Sequence, residues 1–177
     1  EWFGAGGDGG LGRRQLPNEW YDEDLASRTV EDRVAWITRR AGEDAKNLAL
    51  DSDRVRILED VDGDGKADTA GIFSDGYNGV ADGTAAGILA RKGEVYLANI
   101  PNLYLLKDTK GDGHADQKTV LARGFGVHYQ LIGHDLPGLR MGPHGRPYFS
   151  IGARGCPGVP QEGGGRDKPP RGAGTPG

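Results

Sequence analysis

Cysteine is nearly missing from this chain: Cys156 stands alone, so no disulfide can close within it and no cysteine-based zinc finger can form. The same scarcity excludes a C-x-x-C-H haem attachment. Apolar residues are thin as well, 36% of 177 positions, and no apolar run approaches the roughly 20 residues of a membrane-spanning helix. Positive charge is in slight deficit, 22 Lys and Arg against 26 Asp and Glu, for a formal charge of −4. The basic residues form no stripe, which removes the electrostatic footprint of a nucleic-acid binder. The chain opens at Glu1-Trp2-Phe3-Gly4 with neither an initiator Met nor a signal-peptide pattern. An internal piece of a longer polypeptide is the expectation.

Glycine is what the chain has in excess, 32 residues, a composition that favours turns and short strands over long helices. Three zones follow. Residues 1–50 form an N-terminal extension with one short helix near 30–41. Thr29 is placed to cap it, Asp32 to complete a capping box, Val30, Val34 and Ile37 to line one face, and Gly42 to stop it. Residues 51–154 read as strands, among them Val55–Leu58, Glu94–Ile100, Leu103–Leu106 and Arg146–Ile151, each bounded by Gly, Asp or Pro. Residues 155–177 hold five of the ten prolines and eight glycines, with Val159 their one aliphatic residue. They bury too little to offset their ordering entropy, and we expect a disordered tail.

An internal repeat organises the middle zone. Val55 to Asp68 (VRILEDVDGDGKAD) aligns with Leu103 to Asp116 (LYLLKDTKGDGHAD) at an offset of 48, with seven of fourteen positions identical. A weaker repeat relates Gly87–Tyr96 to Gly138–Tyr148, with one inserted residue. Periods of roughly 40–50 residues carrying several strands mark propeller blades. The predicted fold is therefore all-β, a partial β-propeller of about two blades, where a closed ring needs about 4–8. Open blade edges also predict poor solubility or self-association.

The acidic residues gather in two short loops. In the first, Asp60, Asp62 and Asp64 alternate, Gly65 permits a sharp turn, Lys66 can offer its carbonyl and Asp68 can complete a shell. These are the first nine positions of an EF-hand-type Ca²⁺ loop. Position 12 is Gly71 rather than a bidentate Glu, and the preceding segment is strand-like, so a Ca²⁺ loop between two β-strands is the better reading. Carboxylates held this close repel one another by roughly 1 kcal/mol or more per close pair, and a divalent cation relieves that strain. A solvated Asp-Gly turn ending a hairpin is the alternative. The second loop keeps Asp108, Asp112, His114 and Asp116, but Lys110 replaces the second carboxylate and weakens the site.

The segments RVRILEDVDGDGKADTAGIFSDG, GILARKGEVYLANIPNLYLLKDTKGDGHADQKTVLARGFG and LIGHDLPGLRMGPHGRPYFSIGARG, in that order, resemble the planctomycete-type membrane-bound dehydrogenase-domain proteins. Those are related to glucose/sorbosone dehydrogenases and often carry a C-terminal haem-binding domain. The resemblance covers residues 20–154. It implies a quinoprotein-type β-propeller, a periplasmic or extracellular location, and oxidation of a sugar or polyol by pyrroloquinoline quinone, with a cytochrome or haem domain accepting electrons. Within it His134 is the candidate catalytic base, since His is the usual residue for that work near neutral pH. His128 and Gln130 just upstream, and Arg140 as partner of an anionic cofactor, complete the candidate set. A hydrogen bond within a blade is the alternative role for His134. Two functions are weighed: a piece of a sugar dehydrogenase propeller, inert alone, and a non-catalytic Ca²⁺-stabilised propeller module that binds extracellular carbohydrate or protein.

Overall fold

A computed structural model describes residues 18–128 and 136–151. Two α-helices open it, α1 (Asn18–Ala26) and α2 (Val30–Ala41), followed by a 3-10 segment, Gly42–Ala49. Eight strands come next: β1 (Asp53–Glu59), β2 (Thr69–Tyr77), β3 (Ala85–Arg91), β4 (Glu94–Asn99), β5 (Asn102–Lys107), β6 (Gln117–Arg123), β7 (Arg140–Met141) and β8 (Pro147–Tyr148). Among the described residues the chain is thus mostly β rather than all-β, and residues 18–50 hold two α-helices where the sequence pointed to one. The tail 155–177 lies outside the described residues, and so do Gln130 and His134.

Helix α2 forms where its capping box is. Thr29 Oγ1 accepts the Asp32 amide at 3.0 Å, and Asp32 accepts the Thr29 amide at 2.9 Å, two orphan donors satisfied reciprocally. Gly42, at φ 53°, turns the chain while its N–H donates to the Thr38 carbonyl. The chain then tightens into the 3-10 segment instead of leaving the helix. Val30, Arg33, Trp36 and Ile37 make the buried face, with Val34 half-buried at its margin. Helix α1 has no apolar stripe, and nine residues are too few to hold a helix in water. Tertiary contacts hold it. Glu23 accepts from Arg39 at 2.8 Å and Arg40 at 2.6 Å, and Trp20 meets Trp36 edge to face at 6.3 Å.

The strands form three antiparallel sheets, β1-β2, the four-stranded meander β3-β4-β5-β6, and β7-β8. Alternation decides how they stack. In the β4-β5 ladder Leu97 stands opposite Tyr104 and Val95 opposite Leu106, while Ala98 stands opposite Leu103. Partners share a face and successive residues do not. Leu97, Tyr104 and Leu106 therefore pack with Val55, Phe73 and Tyr77 of β1-β2. Ala98 and Leu103 pack the other way, with Ile100, Phe125, Leu136 and Leu139. Phe149, one residue past β8, closes on Phe125 at 5.3 Å, ring edge to face. The central sheet is a middle layer between two hairpins. Where it meets the last hairpin, a Cβ on Gly87 would lie 2.9 Å from the Leu136 carbonyl oxygen, so only glycine admits that backbone approach.

Both halves of the stronger repeat fold alike. Each is a hairpin with its aspartate loop at the tip, β1-β2 for the first copy and β5-β6 for the second. The weaker repeat likewise yields two hairpins, β3-β4 and β7-β8. At the turn between β4 and β5 the Ile100–Pro101 peptide is cis. The helices pack beyond that end of the central sheet. Arg33 Nη2 donates to the Ala81 carbonyl at 2.6 Å, and Arg123 of β6 pairs with Glu31 of α2 at 2.9 Å.

Layer contact should dominate stability. Leu106 is fully buried between layers, and Leu106→Ala is expected to cost about 2–5 kcal/mol. Chemical denaturation followed by circular dichroism measures it, and a loss well under that range would show that the layers do not bear on one another as described.

Candidate metal centre

The first aspartate loop is a hairpin tip whose base is closed by the Asp68 amide donating to the Glu59 carbonyl at 2.8 Å. Asp60 organises the interior. Its Oδ1 accepts from the amides of Gly63 (2.7 Å) and Asp64 (3.2 Å), and its Oδ2 from that of Gly65 at 2.8 Å. Asp68 Oδ2 accepts from the amides of Val61 and Asp62 at 2.7 and 3.3 Å. Gly63 and Gly65, at φ 77° and 87°, supply left-handed backbone that other residues resist. Oxygens of Asp60, Asp62 and Asp68 consequently lie within 4.8 Å of one another, all three side chains exposed. Ligands of Ca²⁺ sit about 2.3–2.6 Å from the ion, so two on opposite sides stand about 5 Å apart. The donor set fits one hard dication.

Asp64 is turned differently. Its Oδ1 accepts the Lys66 amide at 2.8 Å and its Oδ2 lies 3.5 Å from Lys66 Nζ. A cation that recruited Asp64 would displace that exposed ammonium, a small cost for a surface pair.

The second loop reproduces the frame. Asp108 accepts from the amides of Lys110, Gly111 and Asp112 on Oδ1 and of Gly113 on Oδ2, at 2.7–3.3 Å. Gly111 and Gly113 sit at φ 72° and 84°. Asp112 accepts the His114 amide at 3.0 Å, which uses the His114 backbone and leaves its ring at the surface. Asp116 takes the amide and hydroxyl of Thr109 at 3.0 and 2.7 Å, and Lys110 Nζ stands 4.0 Å from it. Among the described residues, three acidic oxygens converge in the first loop and not in the second. Lys110 is the reason, since it removes a carboxylate and adds a positive charge. Donation from the Gly113 amide above all holds the Asp108 carboxyl below the ordinary aspartate value. Thr109, through its hydroxyl and then its amide, does the same for Asp116.

Of the quinone candidates, His128 and Arg140 are described. His128 Nδ1 is 2.8 Å from the Asp24 carbonyl oxygen. A carbonyl only accepts, so Nδ1 carries the proton. Arg140 lies exposed on β7 opposite Tyr148. An open depression of about 450 Å³, lined by Phe73, Val95 and Asp108 among others, includes neither. These two residues reach different neighbours and give no cradle for a quinone, so no step through that cofactor is assigned to them.

A polar cluster at the cis-proline end escaped the sequence reading. Asn99 Nδ2 donates to the Gly83 carbonyl at 2.5 Å, Asn102 Nδ2 to the Tyr104 hydroxyl at 2.6 Å. The Lys118 ammonium lies 3.8 Å from the centre of the Tyr77 ring and 5.2 Å from that of Tyr104, and donates to the Asp75 carbonyl at 3.2 Å. Burial pushes the Lys118 pKa down and the Asp82 carboxyl up. No local spacing announces this group, because Asn99 reaches Gly83 and Lys118 reaches Asp75 and Tyr77, partners far away in the chain.

A family profile described as a domain of unknown function, DUF7133, matches residues 32–168. No curated protein and no solved structure matches the chain.

Calcium at about 100 times its dissociation constant should stabilise the fold by about 2.7 kcal/mol, read as a rise in melting temperature. Asp62→Lys, which copies the second loop into the first, should abolish the rise, while Lys110→Asp should add a second binding event in calorimetry. An unchanged melting temperature in millimolar Ca²⁺ would refute the metal reading. A carboxyl whose folded pKa is depressed contributes stability above its ordinary value and loses it as pH falls through the folded value. Metal-free protein should therefore melt lower as pH drops below about 3.9, and Thr109→Val should flatten that dependence. An equal slope in both proteins would remove Asp116 from the account.

Proposed function

This chain belongs to the DUF7133 family, and we propose that it forms blades of a β-propeller whose hairpin tips bind Ca²⁺, in an exported protein that oxidises a sugar or polyol. One observation carries the scaffold. The repeat relates β1-β2 to β5-β6 and β3-β4 to β7-β8, so the eight strands run as half a blade, one whole blade and half a blade, stacked face to face. That is two blades' worth of strands, and the ring it implies draws on more. Calcium in the Asp60–Asp68 tip then ties a long hairpin connection to its strand ends, a stiffening role that leaves substrate chemistry elsewhere.

The activity rests on the resemblance to glucose/sorbosone dehydrogenases carried by the aspartate loops and the Ile132-Gly133-His134-Asp135-Leu136 motif. In that reading pyrroloquinoline quinone supplies the two-electron acceptor when bound, and a cytochrome or haem domain takes the electrons onward. By that resemblance His134 is the candidate base, and Gln130, His128 and Arg140 are the candidates for holding the quinone. The second reading, a Ca²⁺-stabilised module that binds carbohydrate or protein without turnover, is favoured by the separation of the described quinone candidates: His128 reaches the Asp24 carbonyl and Arg140 lies on β7 opposite Tyr148.

Full-length protein loaded with Ca²⁺ and the quinone, assayed with an artificial electron acceptor against a panel of aldoses and polyols, distinguishes the two. Sugar-dependent dye reduction that falls at least tenfold in His134→Ala is the expected result. Quinone bound without turnover on any sugar would sink the dehydrogenase reading and favour the binding module.

A further inference from the structure

A backbone hydrogen bond crosses between two layers at the second aspartate loop. Ala115, near the end of that loop, donates its amide to the Phe73 carbonyl of β2 at 2.8 Å. Its side chain packs on the core that Val55, Phe73 and Tyr77 share with the central sheet. Phe73 can accept because it is the extra residue of a bulge. Its neighbours Ile72 and Ser74 stand opposite Arg56 and Val55, which are adjacent, so Phe73 has no partner on β1. Three residues beyond Ala115, Lys118 donates to the Asp75 carbonyl at 3.2 Å and extends the seam along β2. The loop that ends a hairpin of one layer therefore grips the next layer as well. The bulge recurs at Leu121, where Val120 stands opposite Tyr104 and Ala122 opposite Leu103. Leu121 lies 48 residues after Phe73, the offset of the repeat, so the bulge belongs to the repeating unit.

What holds this loop in shape differs from the first loop at two adjacent positions. Asp116, the residue after Ala115, accepts the Thr109 amide at 3.0 Å and the Thr109 hydroxyl at 2.7 Å. Lys110 Nζ lies 4.0 Å from the same carboxylate. The repeat-related residues of the first loop are Val61 and Asp62, one without a hydroxyl and the other a further negative charge. There the oxygens of Asp60, Asp62 and Asp68 converge, and a dication is what would relieve their repulsion. In the second loop a hydroxyl proton and a tethered ammonium take that part. From this we infer that the Asp108–Asp116 loop is a clasp between the two layers, held shut by Thr109 and Lys110 without a metal ion. The clasp stands on its own contacts, and only its contrast with the first loop rests on the calcium reading above. The Lys110 pair is exposed and weak by itself. A hairpin tip, however, opens at far lower cost than the whole fold, so weak contacts set how often it opens. Withdrawal of calcium should loosen the first tip and leave the seam along β2 in place.

Amide exchange followed by NMR on the 177-residue chain reads the clasp at one atom, the Ala115 N–H. In the parent its protection should be the same in chelator and in millimolar Ca²⁺. Thr109→Val combined with Lys110→Met should speed Ala115 exchange about fivefold, while the amides of β4 and β5 keep their protection. Each single change should give a smaller rise at the same place. Lys110→Asp should make the clasp calcium-dependent, fast to exchange in chelator and slow again once Ca²⁺ is added. Ala115 protection that requires Ca²⁺ in the parent, or that the double variant leaves untouched, would overturn the inference. Loss of β4 and β5 protection together with Ala115 would overturn it too, since the two side chains would then hold the fold rather than a clasp. The Gly63 and Gly65 amides, which the Asp60 carboxylate accepts, report separately on the first loop. If they ignore Ca²⁺ in a protein whose Ala115 responds to the double variant, the calcium reading falls and the clasp stands.

Discussion

Burial on both faces of the central sheet is the constraint from which the rest follows. The pairs Leu97–Tyr104 and Val95–Leu106 send apolar mass one way, and Ala98–Leu103 sends it the other. A sheet apolar on both sides cannot sit at a surface; it must lie between two others. The β1-β2 and β7-β8 hairpins meet that demand. The turns lie at the two ends of the layer, where backbone can reach water. At one end Glu94 pairs with Lys107, so the β3-β4 turn and the second aspartate loop lie together. At the other, Asn99 and Asn102 flank the cis-proline turn, and the residues around it meet the helices.

The two aspartate loops compare charge on a common backbone. Asp60 and Asp108 accept amides from equivalent positions, and the glycines after them adopt the same left-handed conformation. Loop shape therefore does not depend on Asp62. Charge does, because Lys110 at the equivalent place turns a cluster that repels itself into one that is partly neutralised. A single substitution thus separates scaffold from site, which is why the repeat is clear at the level of fold and lopsided at the level of chemistry.

The polar groups between and beyond the layers have a different logic. Lys118 reaches from β6 to the Tyr77 ring on β2, and its charge is held by two aromatic faces and a carbonyl rather than by a carboxylate contact. Arg33 is buried by α2 yet donates to the Ala81 carbonyl in the β2-β3 connection. Such contacts tie elements that are far apart in the chain, so they fix how layers and helices meet rather than whether each one forms.

Much that is local was legible. The Thr29–Asp32 capping box, the strands around the aspartate loops, the likeness of the two repeats and the convergence of Asp60, Asp62 and Asp68 all depend on residues within a few positions of one another, where spacing and stereochemistry decide. Helix α1 was not legible, because it owes its existence to Glu23 meeting Arg39 and Arg40 and to Trp20 meeting Trp36. Nor was Asp64's turn toward Lys66, or the commitment of His128 to the Asp24 carbonyl. Periodicity and loop chemistry were written in the sequence because they are properties of neighbours. Which faces meet only the tertiary structure decided, because burial is shared between segments that no stretch of sequence contains together.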